Sequence, residues 1–258
     1  MRIDVNSFLG PFPFRRIEST TPEQLLAAMD RTGISEAWAA WLPAVLWRDP
    51  MEGNALLYQM ASERIRPVPA IHPGLPGWES DLADAVSRQV PAVRCDPLYY
   101  GLAPTGREVV RLAAACGAAQ APLLLSVKLE DLRQRHPLDT AGDLPAAAVR
   151  QLIRSDSALR LIITQADRGF IEEVHFGSTP DEASRIWWDI SWIWGPPEDH
   201  LATLLRTVGP ERFLFGTGQP LRLPETSVAR LDLLDLAPRV RSLIESDNAR
   251  ALAPVKPA

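Results

Sequence analysis

At 258 residues, with 46% apolar and 23% charged side chains, the chain has the length and composition of one large folded domain, which excludes extended disorder and provides a sizeable core. A formal charge of −5 with scattered arginines excludes the clustered basic surface that nucleic acid or an anionic membrane demands, so neither is an expected partner. No run approaches 18 uninterrupted apolar residues, the N-terminus lacks the zones of a signal peptide, and Cys95 and Cys116 sit in apolar runs; the expectation is a cytoplasmic protein with reduced, buried thiols.

In chain order, residues 1–11 (MRIDVNSFLGP) are apolar at Ile3 and Val5, polar at Asp4 and Asn6, and broken at Gly10-Pro11. That pattern predicts a first strand with Asn6, Ser7 and Phe8 at its C-terminal end. Thr20-Thr21-Pro22-Glu23 supplies an N-cap, a first-turn proline and an acidic first turn for a helix to about Thr32, closed by Gly33. A second strand is expected over 36–41, a Trp- and Pro-containing loop over 43–50, and a helix over 53–64. The third strand, 65–71, runs into His72-Pro73-Gly74 and is followed by a helix over 78–89 with Leu82, Ala85 and Val86 on one face. The fourth strand, 92–95, ends at Arg94, Cys95, Asp96 and Pro97, and a helix spans 106–116. Residues 122–127 form the most continuous apolar run, as expected of a strand covered on both faces. A polar loop over 128–143 precedes a helix over 144–154, a sixth strand over 159–164 and a short helix over 170–176. The seventh strand covers 186–190, a helix opens at Pro196-Pro197-Glu198, and the eighth strand covers 213–215. Two further helical pieces run to about Leu252, and 253–258 read as a flexible tail.

Eight strand-like runs alternate with helical ones, and no two are joined by a hairpin turn, which predicts parallel pairing through right-handed crossovers. At this length the pattern specifies an α/β fold, a single (β/α)8 TIM barrel over residues 1–252, without a linker or a second domain. Barrel chemistry sits at the C-terminal rim. There, His72 can act as a general base or anion-binding group, or simply cap its turn before Pro73. Arg94 with Asp96 reads as a carboxylate-binding arm with its orienting partner, or as a structural ion pair. Lys128 shares the direction of Ser126 if the fifth strand extends that far, which makes it a base, a carboxylate clamp or an exposed loop lysine. Gln165 and Asp167 follow the sixth strand at a two-residue spacing. Near the end of the seventh, Asp189 or Ser191 is the polar group aimed at the mouth. Of the tryptophans, Trp38, Trp41, Trp47, Trp188, Trp192 and Trp194 fall at or after strands; those that line the mouth, Trp192 among them, make an aromatic pocket, whereas Trp38 and Trp188 suit core packing. No phosphate loop, nucleophile elbow or Cys–His nucleophile pair is present, and no cofactor is implied.

With the strands placed, three segments resemble the amidohydrolase superfamily, in particular its amidohydrolase-related branch. That branch opens on I-D-x-H-x-H-x-G-P and carries F-G-S-D-x-P after its eighth strand; the chain has Ile3-Asp4-Val5-Asn6-Ser7-Phe8-Leu9-Gly10-Pro11 and Phe215-Gly216-Thr217-Gly218-Gln219-Pro220. Asn248-Ala249-Arg250-Ala251-Leu252 is similar to the family's terminal N-A-x-x-L. The resemblance also covers Ile71-His72-Pro73 and Val93-Arg94 with Pro97, and it implies the barrel without the small β-sandwich of other members. Where it implies metal ligands, the chain has Asn6, Phe8, Ser126, Gln165 and Gly218. Phenyl and glycine offer no donor, and neutral oxygens bind transition metals weakly, so the expected site holds no metal. Relatives in the superfamily include lactonases that hydrolyse without a metal. The expectation is therefore a metal-independent hydrolase of a small organic molecule, such as a lactone or a carboxylate-bearing compound. In it His72, Asp96 or Asp189 activates water, and Asn6, Arg94, Lys128, Gln165 and Trp192 bind substrate. The alternative is a non-catalytic barrel that binds a ligand or partners an active homologue, and a homo-oligomer is compatible with either.

Overall fold

All eight expected strands form. They are β1 (Ile3–Leu9), β2 (Glu36–Trp41), β3 (Ile65–Pro67), β4 (Val93–Arg94), β5 (Leu123–Ser126), β6 (Leu161–Thr164), β7 (Ile186–Asp189) and β8 (Phe213–Leu214). The structure, a computed structural model, describes residues 1–18, 20–194 and 199–253. Each strand pairs parallel with its neighbour in two ladders, β1–β3 and β4–β8. Bridges at Ala70–Arg94 and Ser7–Gln219 join the ladders into a ring. At these joins Arg94 N–H donates to the Pro69 carbonyl and Phe8 N–H to the Gln219 carbonyl, both at 2.8 Å. The result is the (β/α)8 barrel that the strand and helix order requires.

The outer ring comprises α1 (Pro22–Thr32), α2 (Glu52–Gln59), α3 (Trp78–Ser87), α4 (Arg107–Ala118), α5 (Ala146–Ser155), α6 (Arg168–Phe176), α7 (Pro180–Ser184), α8 (His200–Thr207), α9 (Pro224–Leu233), α10 (Pro238–Ser242) and α11 (Asn248–Leu252). Helix α1 starts where its capping residues dictate. The Thr21 hydroxyl accepts from Gln24 N–H at 3.3 Å, and Gln24 Oε1 accepts in return from Thr21 N–H at 3.2 Å. Thr21→Ala, which removes one half of this box, is expected to cost about 1 kcal/mol and to lower the melting temperature by roughly 2–4 °C in a thermal scan.

Several boundaries differ from the expectation. The helix placed over 53–64 stops at Gln59, because the chain turns at Ser62, whose hydroxyl accepts from the N–H groups of Arg64 and Ile65. The loop over 43–50 holds a 3₁₀ turn, Leu42–Leu46. The third strand is three residues long, since Pro67 and Pro69 have no N–H to give a ladder. Helix α7 was not expected, although Thr179 caps it by the same reciprocal box as Thr21. The predicted helix start at 196–198 lies outside the described residues; α8 is capped by Asp199, which accepts from Leu201 N–H at 2.9 Å. Residues 254–258 of the expected tail also lie outside them.

Two apolar layers follow from strand alternation. Ile3, Phe8, Trp38, Ala40, Val68, Ala92, Leu124, Ile162 and Leu214 fill the barrel interior. Their alternates, among them Ala39, Val93, Leu123, Leu125, Ile163, Trp188 and Phe213, pack against the helices. Trp38 and Trp188 are thus core residues, one in each layer. Cys95 and Cys116 are free and buried, and burial pushes both thiols up. No helix among the described residues is long and apolar enough to cross a membrane.

Candidate functional site at the barrel mouth

The alternation that makes the interior apolar turns polar one step nearer the C-terminal rim. Two residues beyond the inward-facing Ala92, Leu124, Ile162, Trp187 and Leu214 stand Arg94, Ser126, Thr164, Asp189 and Gly216. All four polar members of this layer are buried, as are Asn6 and Phe8 on β1. Asp189, at the end of β7, is fully enclosed. Its Oδ2 accepts from Asn6 Nδ2 and its Oδ1 from Gln165 N–H, both at 2.8 Å. Burial drives its carboxyl above the ordinary aspartate value, and the neighbouring Ser191 hydroxyl, the Gln165 N–H and the Asn6 amide oppose part of that rise. A Cβ at Gly216 would lie 2.6 Å from Asp189 Oδ2, so the neighbouring strand must carry glycine for the carboxylate to fit.

Beside Asp189 are two amides with unmet demand. Asn6 Oδ1 and Gln165 Oε1 are buried and accept no hydrogen bond among the described residues. Gln165 follows β6 in a left-handed conformation, φ 60°, with Nε2 at 3.5 Å from the Leu129 carbonyl. On the opposite side of β1, Asp4 closes the ring. Its carboxylate accepts from Asn6 N–H (3.1 Å), the Ser7 hydroxyl (2.5 Å), Thr217 N–H (3.0 Å), the Thr217 hydroxyl (2.6 Å) and Gln219 Nε2 (3.0 Å).

Arg94 and Asp96 form a buried pair, with Arg94 Nε at 2.7 Å from Asp96 Oδ2. Arg94 also donates to the Ser126 hydroxyl at 2.5 Å, which lies 2.8 Å from Thr164 Oγ1, and its guanidinium stands 4.6 Å from the Phe8 ring centroid. Lys128 pairs with Asp143 at 3.3 Å and stands over Trp192 at 5.3 Å. Trp192 is buried, with Trp194 edge-on at 6.3 Å. Arg222, in the loop after β8, lies flat on Trp192 with Cζ 3.2 Å from the ring centroid.

The structure therefore brings Asn6, Gln165 and Asp189 into direct contact, joins Arg94 to Asp96, and places Lys128 against Trp192. His72 stands apart from these contacts. Its Nδ1 accepts from Gly74 N–H at 3.1 Å, its ring stacks on Tyr100 at 4.7 Å, and burial lowers its basicity. That is the turn-capping role. Sequence reasoning missed Asp4, Thr164 and Arg222. Period-two counting from Ile162 reaches Thr164, but no local signal connects Asp4 with Thr217 or Arg222 with Trp192. Among the described residues no three His, Cys, Asp or Glu side chains gather as a metal-ligand set.

No family model matches the chain, and no curated protein matches it by sequence. Solved structures do. A 2,6-dihydroxybenzoate decarboxylase complexed with 2,6-dihydroxybenzoate matches with TM-score 0.74 and 16% identity over 98% of both chains. A dihydroxybenzoic acid decarboxylase from Polaromonas sp., with bound manganese and the inhibitor 2-nitroresorcinol, matches with TM-score 0.73 and 14% identity over 97% of this chain and 96% of that one. A probable 2-pyrone-4,6-dicarboxylic acid hydrolase from Acinetobacter baumannii, with citric acid bound, matches with TM-score 0.65 and 14% identity over 97% and 98%. At such identities the likeness establishes the barrel and its connectivity.

Proposed function

We propose that this chain is an amidohydrolase-related barrel that hydrolyses a small organic molecule, a lactone or other activated ester carrying a carboxylate, at its C-terminal mouth without a catalytic metal. The observation that carries the reading is the enclosed Asp189 carboxyl, raised by burial and held between the Asn6 amide and Gln165 N–H. A carboxylate offers about four lone-pair directions, so two bound donors leave acceptor capacity for a water. Asp189 takes a proton from that water as its oxygen attacks the carbonyl, then returns it to the departing alkoxide or enolate. An ester whose leaving group is a stabilised oxyanion suits so modest a set of groups better than an amide does.

The donors argue against the metal that the fold family implies. Asn6, Phe8, Ser126, Gln165 and Gly218 occupy the positions where the resemblance places ligands, and they present at most neutral oxygens. Both oxygens of Asp189 face N–H groups, a setting arranged for hydrogen bonds. No step is therefore assigned to a metal. Asp96 and His72 yield the base role to Asp189, since Asp96 is committed to Arg94 and His72 Nδ1 to Gly74.

A test follows directly. Purified protein, assayed on pyrone and aryl lactones with and without a carboxylate substituent, is expected to turn over at least one carboxylated member, and chelator treatment is expected to leave the rate unchanged. Stoichiometric zinc or manganese in the active protein, removed together with activity, would overturn the metal-free reading. A second reading, a ligand-binding barrel that partners an active homologue, is favoured by the internal pairing of Arg94 with Asp96 and Lys128 with Asp143, which leaves fewer groups for chemistry. It predicts saturable binding with no turnover.

A further inference from the structure

We propose that Arg222 is the anion receptor of this mouth, holding the carboxylate of an organic acid, and that residue 218 is glycine so that the Arg222 side chain can reach that place. The inference rests on the reading of the mouth as the substrate site, and it adds a residue that neither the family pattern nor the strand alternation singles out.

Three observations carry it. First, among the described residues the charge lacks a hydrogen-bonded partner. Among the described residues no side chain or carbonyl hydrogen-bonds the Arg222 guanidinium, no carboxylate pairs with it, and its Nε is buried and unsatisfied. The nearest comparable cations are all engaged: Arg15 with Glu130 and the Leu221 carbonyl, Arg230 with the Ile190 carbonyl, and Lys128 with Asp143. Asp189 attracts Arg222 electrostatically, but its two oxygens are turned to Asn6 and Gln165. Desolvation brings Arg222 down to about 10, more than the attraction of Asp189 and Asp131 restores.

Second, the group is pre-oriented. At 3.2 Å from the Trp192 centroid only the flat face of a guanidinium fits, so its N–H bonds run parallel to the indole plane. Those edge donors match the two oxygens of a carboxylate, and stacking has already removed much of the rotational freedom that binding would otherwise take away.

Third, the neighbouring chain yields space. A Cβ on Gly218 would stand 3.1 Å from Arg222 Cδ and 3.8 Å from Gln165 Nε2, and the residue has φ +73°. A side chain there would push against the arginine stem. The orphan carbonyl of Gln165 on the same wall adds a second unmet group for a ligand to satisfy.

The experiment is a calorimetric titration of the full chain with benzoate and with its neutral isostere benzamide, for the wild type, Arg222→Gln and Arg222→Lys. Arg222 lies in a loop and among the described residues its guanidinium makes no hydrogen bond or ion pair, while its backbone N–H, which donates to the Gly218 carbonyl, is kept by either substitution, so both variants are expected to keep the wild-type circular dichroism spectrum. The wild type is expected to prefer benzoate, R222Q to lose about tenfold to a hundredfold in benzoate affinity with little change for benzamide, and R222K to fall between, because it keeps the charge and loses the fork. Equal benzoate affinity in wild type and R222Q, or no preference of the wild type for benzoate over benzamide, overturns the proposal. The outcome is separable from the catalytic reading: lost benzoate binding in R222Q with no lactone turnover keeps the receptor and rejects the hydrolase, and the reverse result keeps the hydrolase and rejects the receptor.

Discussion

Replacing Asp4 with alanine is expected to destabilise the protein by about 3–5 kcal/mol and to lower its melting temperature by roughly 10 °C. The magnitude follows from what the carboxylate does. It accepts five hydrogen bonds, from two backbone N–H groups, two hydroxyls and one amide, all buried. Alanine takes away the acceptor these buried donors share, leaving Gln219 Nε2 only its 3.3 Å contact with the Ser7 hydroxyl, and it opens the seam between the first and last strands. Asp4→Asn retains one acceptor oxygen but turns an NH2 group towards other donors, so a smaller loss, about 1–3 kcal/mol, is expected. Urea denaturation of the three proteins at neutral pH checks the order wild type, D4N, D4A. Indistinguishable midpoints would mean that the seam is held by the backbone bridges alone.

Asp189→Asn is expected to reduce turnover of a lactone substrate by about 10²–10⁴-fold, the usual contribution of a general base, with little change in KM. A drop in KM-limited binding with unchanged turnover would assign Asp189 to ligand positioning and reject it as the base. The group also leaves a signature in stability against pH. Because burial raises its folded-state pKa, the native protein binds this proton more tightly than the unfolded chain does, and the contribution to stability falls as pH rises. It is fully present below the unfolded aspartate value and is lost as pH climbs through the raised native one. The stability of the wild type relative to D189N should therefore rise as pH is lowered across that window. A wild type that loses stability relative to D189N on acidification would show that the native carboxyl is depressed.

The barrel was legible because each strand is a short apolar run bounded by Gly, Pro or a capping residue, and because parallel strands covered on both faces need no subtle pattern. Leu123, Leu124 and Leu125 illustrate this. Alternation then located most of the polar layer: Arg94, Ser126 and Asp189 follow from counting by twos along β4, β5 and β7. What escaped were contacts between distant loops. Arg222 belongs to no strand and no motif, and only closure of the ring lays it on Trp192. His72 looked chemically potent as an isolated imidazole, yet its ring nitrogen caps the turn at Gly74. Helix α7 is a different kind of miss, since Thr179-Pro180-Asp181-Glu182 carries the same opening signature as Thr21-Pro22-Glu23-Gln24; its five-residue length hid it from any periodicity argument.

The Asp4 seam has a bearing on how the chain reaches its native state. The bonds that Asp4 receives from Thr217 span 213 residues of sequence, so they form only when the last strand has been laid beside the first. Until then β1 has one open edge, and a barrel intermediate of seven strands exposes a row of unpaired N–H and C=O groups. Ring closure is thus the step of highest contact order, and the rate of acquiring native structure should depend on it more than on any helix. A circular permutant that opens the chain in an exposed interior loop and links residues 258 and 1 would shorten that separation from 213 residues to 45 plus the linker, and it should fold faster while retaining the same carboxylate cage.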